Sequence, residues 1–247
     1  MGVVGVVGAR GGVGATTLAA ALARHWAAAA VGRRPVGRGH GTGTDHDPAG
    51  VALADLDPAG AGLDVHLGLE ASPGIRWADL SGARGDVPGE ELASLLPAWC
   101  GVAVLSGDRW RPGGAPADVV ADVLDALIAC HRTVVLDLGR REVLDGGPAL
   151  ERCSTVLVVT PRDLRSVAGV VALREALRPV VGDVRLVVRG PGPGGLGALE
   201  VAHVVDVPVA GTLPDDRGLA ARVERGAGPV GGGGFTRSVG RLAADLS

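Results

Sequence analysis

The chain has 247 residues, a formal net charge of −3 and an apolar fraction of 47%, of which aromatic residues supply very little. That length gives one large domain or two small ones with a full core. The near-neutral charge excludes a global field favouring nucleic acid, so any such contact must come from a local arginine patch. No basic leader precedes a long apolar stretch, and no run of about 18 apolar residues occurs. A cytoplasmic protein is expected.

In chain order, an apolar run at Val3–Val7 is the first expected strand. It feeds the turn Gly8-Ala9-Arg10-Gly11-Gly12-Val13-Gly14-Ala15-Thr16-Thr17 and then a helix near Thr16–Ala29. Strand, glycine turn and helix together aim backbone N–H groups and a positive dipole end at one point, which suits a phosphate. An ordinary P-loop places Lys where Ala15 stands, and that ammonium holds the β- and γ-phosphates. The chain contains no Lys at all, so none can be borrowed from elsewhere in it.

Val31–Gly50 is rich in Gly, Arg, His and Asp and reads as a mobile surface loop. Its His40, Asp45, His46 and Asp47 have no organised metal-ligand spacing. Further strands are expected near Val51–Leu56, Val102–Leu105, Thr133–Leu138, Thr155–Val159, Val184–Val188 and Val207–Thr212. Helices are expected near Pro88–Leu96, Pro116–His131, Asp163–Leu177, Leu196–Val204, Asp215–Glu224 and Thr236–Leu246. Gly226–Gly234 reads as a glycine linker before the last helix. Unalternating aliphatic strands separated by helices imply an α/β fold: a doubly wound, mainly parallel sheet with helices on both faces, over a single domain 1–247. Cys100, Cys130 and Cys153 are odd in number and sit among apolar residues, so buried free thiols are expected.

Three carboxylates fall where such a sheet would bring them to the glycine turn. Asp55 and Asp57 follow the second strand, and Asp137 ends the strand Thr133–Leu138. With the hydroxyl of Thr16, Asp55 and Asp137 could hold Mg²⁺ through water, and Asp57 could orient an attacking water. The competing reading of each Asp is a turn cap.

Taken together these segments resemble the ParA/MinD family of deviant Walker ATPases, most closely its CpaE/TadZ-like branch, which includes septum-site-determining proteins. The carriers are Arg10 to Thr16, Asp55-Leu56-Asp57-Pro58 with Gly62 to Leu69, Val134–Gly139, Thr160 to Val167, and Leu213 to Arg217 with Glu224-Arg225-Gly226. The resemblance implies ATP and Mg²⁺ as cofactors. It implies Arg10, Gly11, Gly12, Val13, Gly14, Ala15, Thr16 and Thr17 around the phosphates, and a homodimer in which Arg10 reaches the partner's nucleotide. It implies a spatial regulator of septum formation or pilus placement, working with cell-division or pilus-assembly proteins.

Departures from that family's pattern shape the expected activity. Arg10 replaces the family's first loop Lys and remains a competent phosphate ligand. Ala15 replaces the second, removing a charged hydrogen bond worth about 1.5–3 kcal/mol. The Asn many members use to read adenine appears as Arg189 or Gly190. Weak or vestigial ATP binding with little hydrolysis is therefore expected, the alternative being an active ATPase using Arg10 in a nucleotide sandwich dimer. Gly8, Gly12 and Gly14 also fit a dinucleotide loop, but the Tyr and Lys of short-chain dehydrogenase catalysis are both absent, leaving only non-catalytic NAD(P) binding. Arg162, Arg165, Arg174 and Arg178 could line one helix for nonspecific DNA contact, against a plain solvated face. The last helix groups Phe235, Val239, Leu242 and Leu246, which suits docking on the body more than peripheral contact at the inner face of the membrane.

Overall fold

The computed structural model describes residues 2–31, 50–57, 62–82, 88–190, 192 and 195–246. The expected loop over 31–50, with His40, Asp45, His46 and Asp47, lies outside the described residues apart from its two ends, as does Pro58. The elements run β1 (Val3–Gly8), α1 (Ala15–Val31), β2 (Val51–Leu56), α2 (Leu63–Leu67), α3 (Trp77–Leu80), α4 (Gly89–Leu95), β3 (Ala98–Trp99), β4 (Val102–Leu105) and α5 (Ala117–Cys130). They continue with β5 (Thr133–Leu138), α6 (Arg140–Leu144), β6 (Thr155–Pro161), α7 (Leu164–Leu177), β7 (Val184–Arg189), α8 (Ala198–Val205), β8 (Val209–Leu213), α9 (Arg217–Val223) and α10 (Gly234–Asp245).

The sheet has eight strands in the order β3-β4-β2-β5-β1-β6-β7-β8. Every pairing is parallel except that of β3 with β4. The strands β1, β2 and β5 are buried along their whole length, which is why their sequences run Val, Leu and Ala on both faces instead of alternating. The expected doubly wound sheet is therefore present, and its central strand is β1. Because β2 and β5 lie to one side of β1 and β6 to the other, the connections diverge at its C-terminal end. That divergence opens a crevice where ligands of such sheets bind.

One core layer packs α5, α7 and α8 against the sheet through residues such as Leu124, Leu136, Leu173 and Val205. The opposite layer joins α1 and α10 through Leu18, Leu22, Trp26, Phe235, Val239 and Leu242. The apolar side of α10 is thus spent on the body, and Trp26 of α1 donates its indole N–H to the Ala243 carbonyl at 3.4 Å. Within Gly226–Gly234, Gly228 is buried against Trp99, whereas Gly231 to Gly233 are exposed. A Cβ on Gly228, which has φ 66°, would come within 2.6 Å of the Trp99 ring.

Two expectations are corrected. The short strand β3 was missed because Cys100 and Gly101, with φ 49° and 81°, form a tight two-residue hairpin turn that the sequence does not advertise. That turn also puts Cys100 in solvent, so of the expected buried thiols only Cys153 is buried and Cys130 is partly so.

Candidate functional site

The turn between β1 and α1 is built on two left-handed glycines, Gly12 (φ 73°) and Gly14 (φ 92°), a conformation costly for other residues. No atom lies within 4 Å of where a Cβ on Gly11 or Gly12 would stand, so the backbone faces open space there. Within α1, the Leu18 N–H reaches the Gly14 carbonyl at 3.0 Å. Helix geometry leaves the amides ahead of it without intrahelical acceptors. They border a cleft of about 510 Å³ lined by Gly8, Arg10 to Thr17, Asp57, His66, Asp137, Leu138, Arg140 and Arg141. All eight residues expected around the phosphates, together with Asp57 and Asp137, meet in this one cleft. Counting back from Gly14, the ordinary loop's first Gly is Ala9 here. Its N–H donates to the Val159 carbonyl at 2.9 Å, anchoring the turn to β6.

Parallel pairing of β2 with β5 sets Asp55 beside Asp137 in register. Both are buried. Burial pushes the Asp137 carboxyl up to about 8, with the Asp55 and Asp57 charges adding to the rise and a hydrogen bond from the Thr16 hydroxyl opposing it. Burial likewise raises Asp55 to about 6 against the amides that bind it. Those amides are the Asp57 N–H, which donates to Oδ1 at 2.9 Å, and the Leu63 N–H, which donates to Oδ2 at 3.1 Å. Asp55 thus organises the turn after β2, and Trp77 fixes it from behind by donating its indole N–H to the Asp55 carbonyl at 2.6 Å.

Asp137 and Thr16 form the hard-oxygen pair closest to the loop, a donor set suited to Mg²⁺. Among the described residues no three His, Cys, Asp or Glu side chains converge into a metal cage.

The cations around the cleft are differently engaged. Arg10 donates from Nε to the Ser166 hydroxyl at 3.0 Å and from Nη2 to Asp163 at 3.3 Å, yet its side chain stays 46% exposed. Asp163 is the N-cap of α7, accepting the Ser166 N–H at 2.9 Å. Arg140 donates to the carbonyls of Ala9 and Gly8 beneath the turn. Arg189, at the end of β7, donates to the Val13 carbonyl at 2.8 Å and pairs with Asp215 at 3.3 Å. Gly190, Pro214 and Asp215 line a neighbouring cleft of about 830 Å³ with Arg162, Arg217, Arg237 and Arg241.

Sequence reasoning missed His66, Arg140 and Arg141. The signal for the two arginines was their place directly after Asp137-Leu138-Gly139. His66 had none beyond its nearness to Asp57. Of the four arginines weighed for DNA contact against a solvated face, Arg165 on α7 is exposed and the other three are engaged. Arg174 and Arg178 both bind Asp206, at 2.8 and 3.1 Å, and Arg162 is drawn to the carbonyls of Leu196 and Gly190.

No protein-family model matches the chain. Uncharacterized proteins from two strains of Mycobacterium tuberculosis are 37% identical over 224 residues, 91% of this chain and 57% of theirs. The chain therefore spans a little over half the length of the curated relatives it matches. Among solved structures, a ParA family ATPase from Chlorobium tepidum superposes with a TM-score of 0.76 at 17% identity, covering 98% of each chain. The cell division ATPase MinD of Pyrococcus furiosus gives 0.76 at 20% identity, covering 100% of this chain and 98% of that one. The septum site-determining protein MinD of Pyrococcus horikoshii, solved with Mg-ADP, gives 0.76 at 18%, covering 99% and 95%. Among the described residues no helix is long and apolar enough to cross a membrane. The fold of this chain is that of the ParA/MinD P-loop ATPases.

Proposed function

We propose that this chain is a ParA/MinD-type spatial regulator of septum formation or pilus placement that binds ATP with Mg²⁺ weakly and hydrolyses it slowly. One observation carries the reading: the Gly8–Thr17 turn borders an open cleft with Thr16, Asp57 and Asp137, yet its lysine position is Ala15. The residues present fit the group. Open backbone faces the phosphate side, the Thr16 and Asp137 oxygens suit a hard cation, and the raised Asp137 carboxyl lacks the positive charge that would let it ionise.

In this reading the amides from Gly11 to Thr17 hold the phosphates, Thr16 and Asp137 hold the cation with Asp55 behind them, and Asp57 orients water. The bound cation would neutralise charge on the phosphate oxygens. Loss of the lysine contact, about 1.5–3 kcal/mol, lowers affinity roughly tenfold to a hundredfold. Hydrolysis falls further if that contact strengthens in the transition state. Titration calorimetry with ATP and Mg²⁺, beside a phosphate-release assay, tests this. Micromolar or weaker binding with turnover far below about 1 s⁻¹ is expected, and turnover near the 1–10³ s⁻¹ of ordinary enzymes overturns it.

A second reading rests on Arg10, whose guanidinium stands half exposed at the mouth of the cleft. There it could meet a partner's phosphates in a nucleotide-dependent homodimer with full activity. Light scattering with and without ATP, for the wild type and Arg10→Ala, separates the two readings. An active sandwich requires a mass that doubles with ATP and fails to double in the variant. Partners among cell-division or pilus-assembly proteins belong to the same proposal.

A further inference from the structure

We propose that the positive charge absent at Ala15 is supplied by Arg141, with the imidazole Nε2 of His66 as a neutral contact to the same terminal phosphates. The inference rests on the nucleotide-binding reading and names the residues of this chain that make it workable.

Among the described residues three arginines line the cleft, and two of them are already engaged. Arg10 is taken up by Asp163 and Ser166, and Arg140 by the carbonyls of Gly8 and Ala9. Arg141 lines the same cleft and is exposed, and its side chain has no hydrogen-bond or ion-pair partner among the described residues. Its place is set by backbone, not chance. The pairing of β5 with β1 brings Leu138 beside Val7, one residue short of the turn, and the Gly139 N–H donates to the Leu56 carbonyl at 3.3 Å. The peptide that carries Arg140 and Arg141 is thereby fastened between the loops that follow β1 and β2, with Asp57 and Asp137 among its neighbours in the cleft.

His66 adds an independent observation. Its Nε2 is buried and has no hydrogen-bond partner among the described residues, although the side chain lines this cleft. A buried polar atom without a partner is costly, so a hydrogen-bonding group brought by a ligand recovers that loss. Two residues on different elements, α2 and α6, thus line one cleft, one carrying an unpaired cation and the other an unpaired ring nitrogen. An arginine placed after β5 replaces part of what a loop lysine supplies, through a forked donor set.

The test uses the whole chain and two probes, ATP with Mg²⁺ and inorganic tripolyphosphate with Mg²⁺. Arg141→Ala is expected to weaken both roughly tenfold to a hundredfold at unchanged melting temperature, and Ala15→Lys in that background to restore them. His66→Phe, which keeps the bulk and removes the donor, is expected to weaken both by a smaller factor. Equal loss for both probes places the contact on phosphate. Wild-type binding with Arg141→Ala unaffected overturns the inference alone. Absence of any wild-type binding to either probe overturns it together with the nucleotide reading.

Discussion

Asp55 and Asp137 stand side by side in register on β2 and β5, both buried, and both carboxyls are pushed above the usual range. A carboxyl raised in the folded state contributes stability that is complete below its unfolded pKa near 4 and is lost as pH rises through its folded value. For Asp55 that loss begins near 4 and is complete by about 6, and for Asp137 it continues until about 8. Burial lowers His66 and His131, so their contribution runs the other way and ends near pH 6.5. Between pH 7 and 8 the Asp137 effect is therefore the cleaner one.

The melting temperature should fall by several degrees from pH 7 to 8.5, a loss on the order of 1–2 kcal/mol. Asp137→Asn should flatten that slope, and millimolar Mg²⁺ should flatten it in the wild type. A slope that survives both changes would show that the carboxylate cluster is not its source.

Arg10 bound to Asp163 and Ser166 is a local clasp on the first turn of α7. An exposed ion pair of this kind contributes about 0–1 kcal/mol, so Arg10→Ala should melt within a few degrees of the wild type. Asp163→Asn keeps the capping oxygen and removes the charge, leaving Arg10 freer to meet phosphate. Its affinity for ATP with Mg²⁺ should equal or exceed that of the wild type. Asp163→Ala should instead cost about 1 kcal/mol of stability through the lost cap, read by thermal denaturation. Equal melting of the Asn and Ala variants would rule out the capping role.

The strands were legible because β1, β2, β5 and β6 are mostly aliphatic on both faces, a signal surface elements do not imitate. The meeting of Thr16, Asp57 and Asp137 was legible because the crossover rule places loops after parallel strands on one edge. The hairpin at Cys100 and Gly101 was not. Its positive φ at Cys100 is imposed by pairing of β3 with β4, a tertiary event with no local signature. The fates of Arg174 and Arg178 were equally hidden, because Asp206 reaches them from the left-handed end of α8, about 30 residues away. The orphaned Nε2 of His66 could not be foreseen either, since burial of one atom follows from packing and not from spacing.

The three thiols should react in a fixed order. Cys100 stands in solvent on the hairpin turn, whereas burial pushes Cys153 up to about 12 and raises Cys130 as well. Since the thiolate is the reactive form, a disulfide reagent at pH 8 should modify Cys100 within minutes and leave Cys153 untouched until the chain unfolds. Cys100→Ser should remove the fast phase. A fast phase that persists in that variant would place the accessible thiol elsewhere.

The last helix supplies the sharpest contrast between docking and membrane contact. Phe235, Val239 and Leu242 are buried against α1 and β8, and the Trp26 indole holds the end of α10 through Ala243. A helix whose apolar face is already covered has little left to insert into lipid, and exposing that face would forfeit about 1.5–3 kcal/mol for each large side chain. Phe235→Ala should therefore destabilise the protein by about 3–5 kcal/mol. The wild type should stay in the supernatant when anionic vesicles are sedimented, with or without ATP and Mg²⁺. Sedimentation of the wild type together with a marginal effect of Phe235→Ala on melting would mean that α10 leaves its seat readily. The docked arrangement would then be only one of its two working positions.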